Sequence, residues 1–174
     1  MNAETVYRIN KAAQLLVDMV GAEVPIDATT IVQKLGGRVE KNKKLSAGDV
    51  LVGKLTNGKF RIRISSYAQK SRSDILIIKG LGHLILHMGL LTDPEMWDEQ
   101  EPNALMEFRR DEEIWQAYEF ARDFLMPEKQ FMEQVDAHTD VGRVNCARVA
   151  EYFNLPVGAV ILRGKSLGIF SSEV

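Results

Sequence analysis

The sequence predicts an α+β fold: a helical core, a small twisted antiparallel or mixed sheet, and a helical C-terminal extension. Three observations carry this. Residues 75–86 form an apolar run interrupted by Lys79 and His83, too short for the roughly 20 residues that span a bilayer and so read as a core helix. Asn57-Gly58 lies between Val50-Leu51-Val52 and the alternating Phe60-Arg61-Ile62-Arg63-Ile64, which is a hairpin signal. Elsewhere, apolar residues recur at helical spacing. With 174 residues, 45% of them hydrophobic and 26% charged, the chain has material for one soluble domain with a small appendage. The expected division is a main unit over 1–127 and an extension over 128–174, shaped like a helix-turn-helix and packed on the first.

Taken in order, Val6, Ile9, Ala13, Leu16 and Val20 predict an amphipathic helix ending near Gly21. Beyond Pro25, Asp27 is placed to cap a short helix with Ile31, Val32 and Leu35 inward, closed by Gly36-Gly37. Extended structure begins at Val39. In the hairpin, Phe60, Ile62 and Ile64 should face the core. Ser73 is the expected cap of the central helix, running from about Asp74 to Met88 and stopping at Gly89. That helix is apolar nearly all round, so Lys79, His83 and His87, four apart, form a polar stripe that needs partners. Residues 91–103 read as a loop, and 104–126 as a second long helix ended by Pro127 and carrying Asp111, Glu112, Glu113 and Glu119. In the extension, Val144, Val149, Ala150 and Phe153 should point inward from one helix, and Val157, Val160 and Ile161 from the next. Trp97, Trp115 and Tyr118 read as core or rim packing.

Residues 79–87, Lys-Gly-Leu-Gly-His-Leu-Ile-Leu-His, resemble a zinc-protease helix stripped of half its chemistry. In H-E-x-x-H, two histidines one turn apart grip one Zn²⁺ and the glutamate activates its water. Here Lys79 stands at the first histidine, Gly80 at the glutamate, and His83 remains. The chain further resembles the ImmA/IrrE family of zinc metallopeptidases, found in mobile elements, prophages and stress-response loci, whose pattern is H-E-x-G-H-x-x-L-H. Leu81-Gly82-His83, Leu86 and His87 are in register with it. A second family pattern, E-x-x-A-x-x-F-A-x-x-L-L-M-P, is matched by Ala117, Phe120-Ala121 and Leu125-Met126-Pro127. Pro25-Ile26-Asp27 with Leu35-Gly36-Gly37, and residues 150–168, resemble its two ends.

The resemblance implies a zincin-like core, and it also implies a loss. The family's third ligand opens the second pattern, and that position is Ile114 here. Glu113 is adjacent, but one helical residue turns a side chain by about 100°. One ligand of three survives, and Gly80 cannot accept a proton. A single imidazole does not hold zinc where sites use three or four ligands, so no catalytic residue, cofactor or metal-dependent cleavage is expected. Lys79 is expected either to pair with Glu113 or Asp111, an ionic staple in place of zinc, or to reach water at the mouth of the old cleft. An alternative keeps a metal between His83 and His87, with Glu112 or Glu113 as third ligand.

For function, the resemblance implies a pseudo-peptidase that binds a helix-turn-helix repressor or another regulatory protein, since active relatives cleave such repressors. The expected site is the groove between the 60–64 strand and the His83 helix, where an exposed edge would admit an added strand. Residues 150–165 have a helix-turn-helix outline, yet offer only Arg163 and Lys165, with Arg143 and Arg148 before them, for phosphates. The net charge of −2 gives no broad basic field, so DNA is not the expected partner, nor is a membrane. One cysteine, Cys146, excludes an internal disulfide, and the absence of a signal-like N-terminal run points to the cytoplasm and a buried thiol.

Overall fold

The computed structural model describes residues 3–171. Helix α1 (Ala3–Val20) buries Ile9, Ala13, Leu16 and Val17, and α2 (Ala28–Lys34) starts where the Asp27 carboxylate accepts from the amides of Thr29 and Thr30. A three-stranded mixed sheet follows, β1 (Arg38–Asn42), β2 (Val50–Lys54) and β3 (Phe60–Ser65), in the order β1-β3-β2. The β2–β3 hairpin turns at Gly58, whose φ of 74° suits glycine. Phe60, Ile62 and Ile64 are buried as expected and lie opposite Lys54, Val52 and Val50. The intervening Arg61 and Arg63 face outward, Arg63 pairing with Glu40 at 2.6 Å.

Helix α3 (Lys70–Met88) is sandwiched between this sheet and α5 (Asp111–Leu125), and α1 packs on α5. Two glycines permit the sandwich. Positions 80 and 82 lie about 200° apart around a helix, and they face opposite layers. A Cβ on Gly80 would meet Ile62, Val50 and Val52 of the sheet, whereas one on Gly82 would meet Phe120 and the Ala117 backbone of α5.

Four expectations are corrected. Helix α3 starts four residues before Asp74, with Gln69 at its cap: the Ser73 hydroxyl donates back to the carbonyls of Ala68 and Gln69, and the Asp74 carboxylate accepts from the Ala28 amide. Residues 91–103 contain a short helix, α4 (Pro94–Glu99), with Asp93 as its cap and proline in its first turn. Residues 104–110 are not helical. Met106 exchanges two backbone hydrogen bonds with Val52, 3.1 and 2.8 Å, and the Asn103 amide donates to the Lys54 carbonyl at 2.8 Å, so this segment satisfies the open edge of β2. Gly53 lets the Ala104 carbonyl approach. Strand β3 is central, paired on both sides, and offers no edge for an added strand.

The extension comprises α6 (Glu128–Ala137), a small ladder of β4 (Thr139–Asp140) and β5 (Arg143–Val144), α7 (Cys146–Phe153) and α8 (Val157–Ser166). Val149, Ala150, Phe153 and Val160 are buried as read, but Val157 and Ile161 are exposed, and Cys146 is half-buried. Arg163 is fully buried instead: it bonds Asp123 of α5, and its Nε donates to the Met126 carbonyl at 3.2 Å. The inward face of α8 is therefore set by an ion pair that apolar periodicity does not register.

Candidate functional site

Lys79, His83 and Ile114, the positions matching the three metal ligands, come together in one cleft of about 290 Å³. Its other walls are Gly48, Asp49, Val50 and the segment Glu107-Phe108-Arg109. The general-base position does not open onto it. At Gly80 the side-chain space is taken by Ile62, Val50 and Val52, so the expected groove between the 60–64 strand and α3 is closed core.

Lys79 is 6% exposed and follows neither expected course. Its Nζ lies 4.5 Å from the centre of the Tyr118 ring, a cation–π contact, while Glu113 pairs with Arg110 at 3.4 Å. Burial pushes the Lys79 ammonium below the ordinary lysine range, and the Asp49 carboxylate partly offsets this. Burial likewise raises the Tyr118 phenol. A water-facing lysine is excluded by the exposure, and the staple is not formed: Glu113 pairs with Arg110, and neither it nor Asp111 makes a salt bridge to Lys79.

His83 is 1% exposed. Its ring stacks on Phe108 with centres 4.3 Å apart and planes 6° from parallel, and its Nδ1 lies 3.1 Å from Nδ1 of His87. His87 Nε2 is 2.9 Å from the Gln116 side-chain oxygen, and the Gln116 amide nitrogen donates to Glu112 at 3.4 Å. That orientation of Gln116 requires a proton on His87 Nε2, so His87 Nδ1 accepts and His83 Nδ1–H donates. Burial, then the neighbouring His87 and Lys79, hold His83 at a pKa of about 3, which makes it a neutral ring at ordinary pH.

These residues do not fit zinc. A cation and an isoleucine stand at two ligand positions, and a structural or catalytic site needs three or more protein donors. The alternative set of His83, His87 and Glu113 is only half assembled: the two histidines meet, but they bond each other, and Glu113 is turned to Arg110. Among the described residues, no group of three His, Cys, Asp or Glu side chains is placed to hold a metal.

Sequence reasoning found Lys79, Gly80, His83, His87 and Ile114, and missed what surrounds them. Tyr118 had a signal, since it lies one helical turn after Ile114 and shares its face. Asp49 and Phe108 come from irregular segments whose positions only the fold supplies.

The helix sandwich, with the cleft at Lys79, His83 and Ile114, is the architecture of a metallopeptidase-type domain. Residues 35–165 match the Peptidase_M78 family, described as the IrrE N-terminal-like domain, and the chain belongs to that family. Among solved structures, a Mycobacterium tuberculosis transcriptional regulator superposes with a TM-score of 0.61 at 18% identity, covering 90% of this chain and 46% of that one. At that identity the likeness shows the fold alone, and this chain spans less than half of the regulator's length. No curated protein matches. No helix among the described residues is long and apolar enough to cross a membrane.

Proposed function

We propose that this chain is a catalytically inactive member of its family that works by binding a regulatory protein, with a helix-turn-helix repressor as the partner class. The observation that carries the reading is the state of position 80, where the general base of an active relative would stand. A glycine occupies it, and sheet side chains fill the space. Lys79 and Ile114 at ligand positions, and Phe108 laid on His83, support the same reading.

The cleft left between Asp49, Lys79 and the Glu107–Arg109 segment is lined by both signs of charge, which suits a polar peptide segment. The likeness to a transcriptional regulator supports a regulatory role. Residues 128–174 act in this reading as a packed extension of the first unit, and the protein works in the cytoplasm. Arg163 is sealed against Asp123 and cannot reach phosphates, which argues against the extension as a DNA reader.

The test is to mix the purified protein with a helix-turn-helix repressor from the same genome, measure complex formation by calorimetry, and examine the repressor by mass spectrometry. The expected outcome is a complex with the repressor intact, weakened by Arg109→Glu. Cleavage that a chelator abolishes would overturn the proposal.

A further inference from the structure

A second cavity, of about 310 Å³, lies where α8 leans on α3 and α5, apart from the degenerate cleft except for their shared wall at Gly48. Its walls are mainly apolar, with Leu76, Ala121, Leu125, Leu155 and Leu162 among them. Two guanidinium groups also line it. Arg72 is exposed on the first turn of α3 and makes no ion pair with any described residue. Arg122 bonds Glu119 through Nη2, but its Nε is buried with no hydrogen-bond acceptor. Buried donors of this kind are nearly always satisfied, so an unpaired one beside a cavity calls for an acceptor.

We propose that this cavity binds a small amphipathic anion, an alkyl or aryl carboxylate whose apolar body lies on the leucine wall and whose head group meets Arg72 and Arg122. Glu119 neutralises one guanidinium, so Arg72 supplies the excess positive charge. The volume falls at the lower end of the range for small-molecule sites, which limits the ligand to a short chain or a single ring system. A carboxylate accepts from guanidinium in charge-assisted bonds, while its apolar body supplies contact area that inorganic anions lack.

The probe is sodium octanoate, titrated below micelle formation into isotopically labelled protein and followed by NMR, with 1-octanol as the uncharged control and anionic-lipid vesicles as a separate arm. Two variants at exposed positions leave the core alone: Arg72→Gln removes the free charge, and Gly158→Phe fills the cavity from a site where an added Cβ meets nothing within 4 Å. An unchanged urea midpoint for each establishes that it folds. Saturable octanoate shifts at Ile75, Leu76, Tyr118 and Leu162 are expected, weakened about tenfold by Arg72→Gln, as for loss of one charge-assisted bond, and abolished by Gly158→Phe. Absent octanoate shifts, equal binding of octanol, indifference to Arg72→Gln, or binding to vesicles alone would each overturn the proposal.

Discussion

Gly80→Ala tests the claim that the general-base position is closed by the sheet. The new Cβ would stand 2.7 Å from Ile62 Cγ2, 3.0 Å from Val50 Cγ2 and 3.3 Å from Val52 Cγ1, all in buried strands that cannot retreat freely. Overpacking of this degree costs about 1–3 kcal/mol. Alanine's helix propensity returns about 1 kcal/mol over glycine. The expected net loss is therefore about 0–2 kcal/mol, measured by urea unfolding with tryptophan fluorescence. The mechanism is checked by Ile62→Leu, which removes the obstructing Cγ2 at similar volume. In that background the cost of Gly80→Ala should fall by about 1 kcal/mol, a coupling typical of residues in contact. Gly80→Glu should be far worse, because it adds a carboxylate with no partner, and it should not create peptidase activity. If Gly80→Ala were stabilising by its full helix-propensity gain in both backgrounds, position 80 would be open and the reasoning wrong.

Other consequences are as direct. Arg163→Met leaves the Asp123 carboxylate buried without its cation, and breaking a buried pair in this way costs about 3–5 kcal/mol; adding Asp123→Leu should recover much of it in the same unfolding assay. His83 binds its proton at about 3 when folded, against 6.5 ordinarily. Between those values the unfolded chain takes up the proton first, so stability is lost as pH falls below 6.5, by up to about 1.4 kcal/mol per unit. The difference in urea midpoint between wild type and His83→Gln isolates this from Asp123, whose carboxyl burial raises to about 6 and which acts in the opposite sense. A His83 ring signal titrating near 6.5 by NMR would contradict the assignment. Duplex DNA at low salt should show no mobility shift, because the one arginine inside α8 is sealed in the core.

Much of this was legible without coordinates. The hairpin at Asn57-Gly58 and the Asp27 cap are local devices, readable because a few residues determine them. The apolar helix around His83 announced its own burial, and the register of the degenerate motif located Lys79, Gly80 and Ile114. What stayed hidden is non-local. Residues 104–110 look helical in isolation, but the segment runs along β2 and Met106 bridges Val52, because β2 left Val52 and Lys54 with unpaired backbone groups. Arg163 reads as a surface charge until Asp123, forty positions earlier, is placed against it. Phe108 over His83 depends on that same segment, so the ring stacked on His83 could not be foreseen from the motif.

Elemental analysis of the purified, dialysed protein, beside a family member that keeps all three ligands, tests the account most directly. A zinc stoichiometry near zero, with near one in the control, is predicted from Lys79, Ile114 and the His83–His87 pair. A stoichiometry near one that is lost in His83→Gln would show that these residues assemble a metal site after all, and would contradict the reading of the chain as a pseudo-peptidase.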